Sequence, residues 1–186
     1  MEDEIKKACE VMRAGGIILY PTDTIWGIGC DATDPEAVKR VYELKKRVDN
    51  KAMLVLIDSP AKLNAYMEQV PDIAWDLIEI ADRPLTIIYP NARNLAVNLL
   101  GEDGSVGIRV TNEEFSRKLC ECFRKPVVST SANLSGQPSP ATFAEIAAEI
   151  KQGVDYIVNY RQNDPAKAKP SGILKLSVNG EVVVIR

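Results

Sequence analysis

Apolar residues along the chain follow two patterns, a helical period and short continuous runs, and together they predict interleaved helices and strands. Ile5, Ala8, Val11 and Met12 share one face of a helix over residues 4–14, which Gly15-Gly16 stops. The apolar run Ile17 to Tyr20 reads as a buried strand, and Pro21 ends it by removing a backbone donor. Asp34-Pro35-Glu36 is a helix start: a capping Asp, proline at the first helical position, and a negative charge in the first turn. That helix turns Ala37, Val38, Val41 and Leu44 inward and ends in Lys45-Lys46-Arg47. Met53 to Ile57 is a second buried strand; Ser59-Pro60 opens a short helix, and another covers residues 72–80. Pro84 to Tyr89 and Ser105 to Val110 read as strands. Thr111 with Glu114 predicts a capping box before a helix to about Phe123.

Val127-Val128-Ser129 is a short strand running into a Ser/Asn/Gly/Pro-rich loop, residues 130–141. Thr142 with Glu145 predicts a second capping box and a helix to about Ile150, and Val154 to Val158 another strand. After a Lys/Pro loop, residues 161–170, two runs flank Asn179-Gly180, a type I′ hairpin signal. The run Glu181 to Arg186 alternates poorly, as in a strand covered on both faces. The expected fold is α/β, a twisted mixed sheet with helices packed on it, in a single domain over residues 1–186.

Composition narrows the function. A chain of 186 residues with 46% apolar and 26% charged residues is that of a soluble globular protein. No apolar run approaches a membrane span, and the acidic start Met1-Glu2-Asp3-Glu4 is unlike a signal peptide, which points to the cytoplasm. The net charge of −3 argues against bulk coating of nucleic acid. Cys9, Cys30, Cys120 and Cys122 match no common zinc framework, so reduced thiols and no zinc are expected. Histidine is absent, which excludes every mechanism that needs imidazole.

The stretch Pro21-Thr22-Asp23-Thr24-Ile25-Trp26-Gly27-Ile28-Gly29 organises the candidate chemistry. A strand that ends in hydroxyls, a carboxylate and glycines is where open α/β sheets place ligands, although an ordinary turn reads the same way. Lys45, Lys46 and Arg47, with Lys51 beyond, are either a solvated helix end or a phosphate clamp. The loop Ser129-Thr130-Ser131-Ala132-Asn133-Leu134-Ser135-Gly136 can bond phosphate or sugar through hydroxyls and amide, or satisfy itself as a turn. Arg109, inside an apolar strand, pairs with a carboxylate of the chain or awaits an anionic ligand.

These motifs, in this order, resemble the YrdC/Sua/YwlC family of threonylcarbamoyl-AMP synthases, in its short single-domain form, from about Gly15 onward. The resemblance implies a concave cleft and condensation of L-threonine, bicarbonate and ATP into threonylcarbamoyl-AMP and pyrophosphate. The product would pass to a tRNA threonylcarbamoyl transferase complex. Carried over by position, Lys45 and Arg47 would be catalytic and contact the ATP phosphates, with Mg2+ accompanying the ATP. Ser131, Asn133, Ser139 and Arg186 would face the nucleotide; Thr22, Thr24, Arg109, Ser129 and Ser171 would hold threonine. The sequence departs from the family at Val48, and at Asp82-Arg83 before Pro84.

Carbamate formation and attack on the α-phosphate ask mainly for positioning and charge neutralisation, so no histidine is needed. The sequence names no general base, although Asp23 is a conceivable one. A rival of another class is an RNA-binding module gripping the backbone through residues 45–51, with steep salt dependence. A carbamoyl-transfer domain of the hydrogenase-maturation type is a third reading, disfavoured by the length.

Overall fold

The computed structural model describes residues 1–47, 53–165 and 170–186. Val48 and Lys51 lie outside them. Helices α1 (Glu2–Arg13), α2 (Pro35–Leu44), α3 (Leu63–Tyr66), α4 (Ile73–Ile80), α5 (Glu114–Phe123) and α6 (Ala148–Gly153) alternate with strands β1 (Ile18–Tyr20), β2 (Gly27–Gly29), β3 (Leu54–Ile57), β4 (Leu85–Tyr89), β5 (Val106–Val110), β6 (Val127–Ser131), β7 (Tyr156–Ile157), β8 (Gly172–Leu176) and β9 (Val182–Val184). Among the described residues these strands form one sheet, ordered β7-β1-β2-β6-β3-β5-β4-β8-β9. β1–β7, β3–β5 and β4–β8 are parallel and the other neighbours antiparallel, so the expected mixed sheet is present. No helix of the described residues is long and apolar enough to cross a membrane.

The two-residue period of the strands explains where the cleft opens. Ile18, Tyr20, Leu56 and Val127 point to one face and pack under α1 and α5 with Ile5, Met12, Phe115 and Leu119. Ile17, Leu19, Val55 and Val128 point to the other and join the larger core with Val38 and Val41 of α2. Register partners share a face, so Leu54 with Ser129, Leu56 with Arg109, and Gly107 with Ile88 continue the α1/α5 side. The cavity opens along this continuation, over Leu54, Thr86, Ile88, Gly107 and Arg109.

Several local expectations are corrected. Gly27–Gly29 is a strand rather than a loop, and a Cβ at Gly29 would stand 2.6 Å from Tyr20 Cε1 and 2.8 Å from the Val128 carbonyl. Glycine is what lets that backbone pass. The cap of α5 is Glu113, whose carboxylate accepts from the Phe115 and Ser116 amides, not Thr111 with Glu114; the Thr111 hydroxyl is buried without a partner. Glu145 accepts from the Ala141 amide across a turn, and the helix begins only at Ala148.

The final hairpin is not type I′. Gly180 has φ +83°, Asn179 has no positive φ, and the Gly180 amide bonds Ser177 O while the Ser177 amide bonds Glu181 O. This is a three-residue loop with an αL glycine. β9 is an edge strand with both faces open: Val182, Val183 and Val184 are 40%, 48% and 73% exposed. Its poor alternation reflects the absence of a covered face, not two of them.

Candidate functional site

The cavity has a volume of about 520 Å3, within the range of small-molecule sites. Thr22, Thr24, Arg47, Arg109, Ser129, Ser131, Ser139, Ser171 and Arg186 all line it, from six separate parts of the chain. Lys45 and Asn133 do not.

The Pro21-Thr22-Asp23-Thr24 turn is held from within. Thr22 Oγ1 donates to the Ile25 carbonyl at 2.7 Å and accepts from the Thr24 amide at 3.1 Å, and the two threonine hydroxyls are 3.1 Å apart. This fixes both hydroxyls at the end of β1. Trp26 closes the wall behind them, its ring 4.8 Å from that of Phe143.

Arg109 finds the carboxylate that a buried charge requires. Its Nη2 is 2.9 Å from Asp23 Oδ1, with the side chains 2% and 12% exposed. The angle falls outside that of a hydrogen bond, and Arg109 Nε and Asp23 Oδ1 are both left without hydrogen-bond partners. Burial, opposed by Arg109, raises the Asp23 carboxyl above its usual range; burial, opposed by Asp23, lowers the Arg109 guanidinium. Asp23 is not among the cavity-lining residues.

The basic run ends α2 in an unusual way. The Lys46 amide bonds Glu43 O and the Arg47 amide bonds Tyr42 O, with Lys46 at φ +51°. This is a Schellman stop with lysine where glycine is customary. The reversal separates the cations. Arg47 lines the cavity, Lys46 pairs with Glu149 at 2.7 Å, and Lys45 is only 3% exposed. The Lys45 ammonium donates to the Ser131 carbonyl and, at 2.7 Å, to the Asn133 carbonyl. Lys45 was expected at an exposed helix end; it is instead a buried tie between α2 and the loop after β6. Burial first, and the Arg47 charge second, lower its pKa to about 8.

Asn133 is committed to the same loop, donating to the Leu134 and Gln137 carbonyls at 3.0 and 2.6 Å. Its buried Oδ1 has no partner. Ser171 Oγ is 2.9 Å from Thr86 Oγ1, and both residues are buried. Arg186 Nε donates to the Ser171 carbonyl at 3.1 Å, and its main chain pairs with Ile173. Arg186 is therefore anchored rather than frayed.

Sequence reasoning missed Thr86, Asp103 and Lys175, which also line the cavity. For Thr86 and Lys175 the signal was alternation, since Thr86 is two residues from Ile88 and Lys175 two from Ile173; Asp103, in the turn before β5, carried none. Asp103 accepts from Lys175 Nζ at 2.8 Å and from the Ser105 amide at 3.1 Å, which lowers its pKa to about 2. The described lining carries Arg47, Arg109, Lys175 and Arg186; Asp103 pairs with Lys175 and Asp23, behind the lining, with Arg109, which leaves Arg47 and Arg186 without an ion-pair partner among the described residues. With paired hydroxyls between them, it is built to take an anion-rich ligand.

The comparisons with known proteins agree with this geometry. The model of the Sua5, YciO and YrdC proteins, described as telomere recombination, matches residues 10–186. The threonylcarbamoyl-AMP synthase of Pseudoalteromonas translucida (strain TAC 125) is 33% identical over 184 residues, covering 97% of each chain. The structure of E. coli YciO superposes with a TM-score of 0.86 at 25% identity, over 100% of this chain and 89% of that one. P. abyssi Sua5 complexed with L-threonine superposes with a TM-score of 0.88 at 26% identity, over 100% of this chain; the chain spans about half, 54%, of that protein. A sheet with the expected strands, a cavity lined by the motif residues, and a family match across nearly the whole sequence lead to one conclusion: the chain belongs to the Sua5/YciO/YrdC family.

Proposed function

We infer that this protein is a threonylcarbamoyl-AMP synthase, condensing L-threonine, bicarbonate and ATP into threonylcarbamoyl-AMP and pyrophosphate. The observation that carries the reading is the cavity lining: Arg47, Arg109 and Arg186 from separate parts of the chain, interleaved with buried hydroxyls. Relatives at about this degree of similarity bear the synthase name, and the P. abyssi Sua5 neighbour holds L-threonine.

Arg109 takes the threonine carboxylate, with Thr22, Thr24, Ser129 and Ser171 around the amino acid. Its unpartnered Nε supports this role. Arg47 and Arg186 take the phosphates, and Ser131 and Ser139 the rest of the nucleotide. Lys45 acts through the loop it ties down, holding the Ser131 and Asn133 carbonyls, and Asn133 braces the same loop through the Leu134 and Gln137 carbonyls. The neutral threonine amine adds to CO2 and releases a proton to solvent, or condenses with bicarbonate and releases water, to give a carbamate; a carbamate oxygen then attacks the α-phosphate and expels pyrophosphate. Charge neutralisation and alignment supply the rate, as in other phosphoryl chemistry. Mg2+ enters as part of the ATP substrate, because Asp103 is already engaged by Lys175 and Ser105. The mixed anhydride product is an activated acyl donor, suited to a tRNA threonylcarbamoyl transferase complex in the cytoplasm.

The RNA-binding reading depended on a contiguous basic patch at residues 45–51. The described cations of that run are buried, paired, or turned to the cavity; Lys51 lies outside the described residues. Calorimetric titration of L-threonine tests the synthase reading. Saturable binding that Arg109→Gln removes supports it; equal heats for both proteins overturn it.

A further inference from the structure

A fork of hydrogen bonds outside every recognised motif holds the backbone of the Thr22 turn. Arg161 Nη1 donates to the Thr22 carbonyl at 3.3 Å and to Glu113 Oε1 at 3.2 Å, while its Nε donates to Asp164 Oδ2 at 2.9 Å. Glu113 is itself fixed, because its carboxylate caps α5 through the Phe115 and Ser116 amides and accepts from the Ser116 hydroxyl at 2.7 Å. The residue before the fork is fixed too: the Tyr160 ring stacks on Phe115 with centroids 5.4 Å apart. Arg161 has φ +58°, a left-handed conformation that costs a non-glycine residue about 1 kcal/mol. Such strain persists only where surrounding contacts over-determine it.

We propose that Arg161 is a positioning residue for the amino-acid half of the cavity. It is not itself one of the residues that line the cavity. Instead it joins the carbonyl of Thr22 to the N-terminus of α5, so the turn cannot rotate away from β1. The consequence reaches the ligand through two neighbours of that carbonyl. One is the Thr22 hydroxyl, whose bonds to Ile25 and Thr24 hold only while the turn keeps its shape. The other is Asp23, which presents its carboxylate to Arg109 from the next residue. A planar guanidinium suits the task because it serves three acceptors in fixed directions, which a lysine cannot. Nucleotide contacts lie on other elements, on Arg47 and Arg186, and are independent of the fork.

The substrate half of this proposal rests on the synthase reading, and the test keeps the two apart. Amide hydrogen exchange in the substrate-free protein reads the anchor directly. Arg161→Ala should speed exchange at the Thr24 amide by about tenfold or more, with the amides of β3 and β5 unchanged. Under turnover, the KM for threonine should rise about tenfold while that for ATP stays within about twofold. Arg161→Lys should recover part of both effects. Unchanged Thr24 exchange in Arg161→Ala overturns the proposal, as does an equal rise in both KM values or a fall in kcat alone. If the unmodified protein forms no pyrophosphate, the functional reading fails, and the exchange result still decides the anchor.

Discussion

The Arg109 guanidinium and the Asp23 carboxylate face each other at 2.9 Å, almost fully removed from water, at the point where β5 meets the turn after β1. The pair answers the question the sequence raised about an arginine inside an apolar strand. It also leaves Arg109 Nε without a partner. A single counter-charge compensates the burial, and one donor remains for a ligand.

Asp23→Asn therefore strands a buried cation, at a cost of about 3 kcal/mol in urea unfolding. Combining it with Arg109→Gln should cost clearly less than the sum of the two single changes. Strict additivity would show that the pair is not coupled.

Lys45 and Arg47 should separate in a stability measurement. Lys45→Ala leaves the Ser131 and Asn133 carbonyls without their donor, a loss of about 1–3 kcal/mol. Arg47→Ala, on the open side of the helix stop, should stay within about 0.5 kcal/mol. Both should abolish pyrophosphate formation, Arg47 by loss of a phosphate contact and Lys45 by loosening the loop. Thermal melts beside pyrophosphate assays separate the two, and equal melting shifts would contradict the assignment.

Arg186→Ala should weaken ATP binding by about tenfold, since a charge-assisted contact is lost. Threonine binding should change much less, because Thr22, in the turn after β1, and Arg109, on β5, lie on other elements. Paired calorimetric titrations check this, and unchanged ATP affinity would return Arg186 to a purely structural role beside Ser171.

Asp103 gives a signed pH dependence. Its folded pKa, about 2, lies below the ordinary carboxylate value, held there by Lys175 and Ser105. Its stabilisation is complete above the unfolded pKa and is lost as the pH falls through about 2. The pair is half exposed, so screening limits its worth to about 0.5–1 kcal/mol. Asp103→Asn should melt slightly lower than the parent at pH 7, and the gap should close between about pH 4 and pH 2. A gap that is constant with pH would contradict this.

How much of this was legible in the sequence depended on the kind of signal. Periodicity carried the strands and helices because alternation encodes which side chains share a face. The cavity was legible by another route: the residues themselves marked the polar turn at Thr22, the loop from Ser129 and the buried Arg109, while Ser139, Ser171 and Arg186 were implied only by the family resemblance. What failed was local capping: Thr-x-x-Glu patterns at Thr111 and Thr142 were outcompeted by Glu113, two residues after Thr111, and by a turn closed by Glu145. The fate of Lys45 was equally hidden, because a lysine in the αL position, Lys46, reverses the chain and sends adjacent cations to different places. Arg161 carried no pattern that reaches the turn; the two partners that tie it there, Glu113 and Thr22, are 48 and 139 residues away in sequence.

The central claim is that this cavity joins three substrates. The most direct measurement incubates the protein with Mg-ATP, labelled L-threonine and bicarbonate, and follows pyrophosphate together with labelled adenylate. Pyrophosphate and threonylcarbamoyl-AMP should form in equal amounts, require all three substrates, and vanish in Arg109→Gln. Pyrophosphate that forms equally without threonine, or no labelled adenylate from a folded protein, would contradict it.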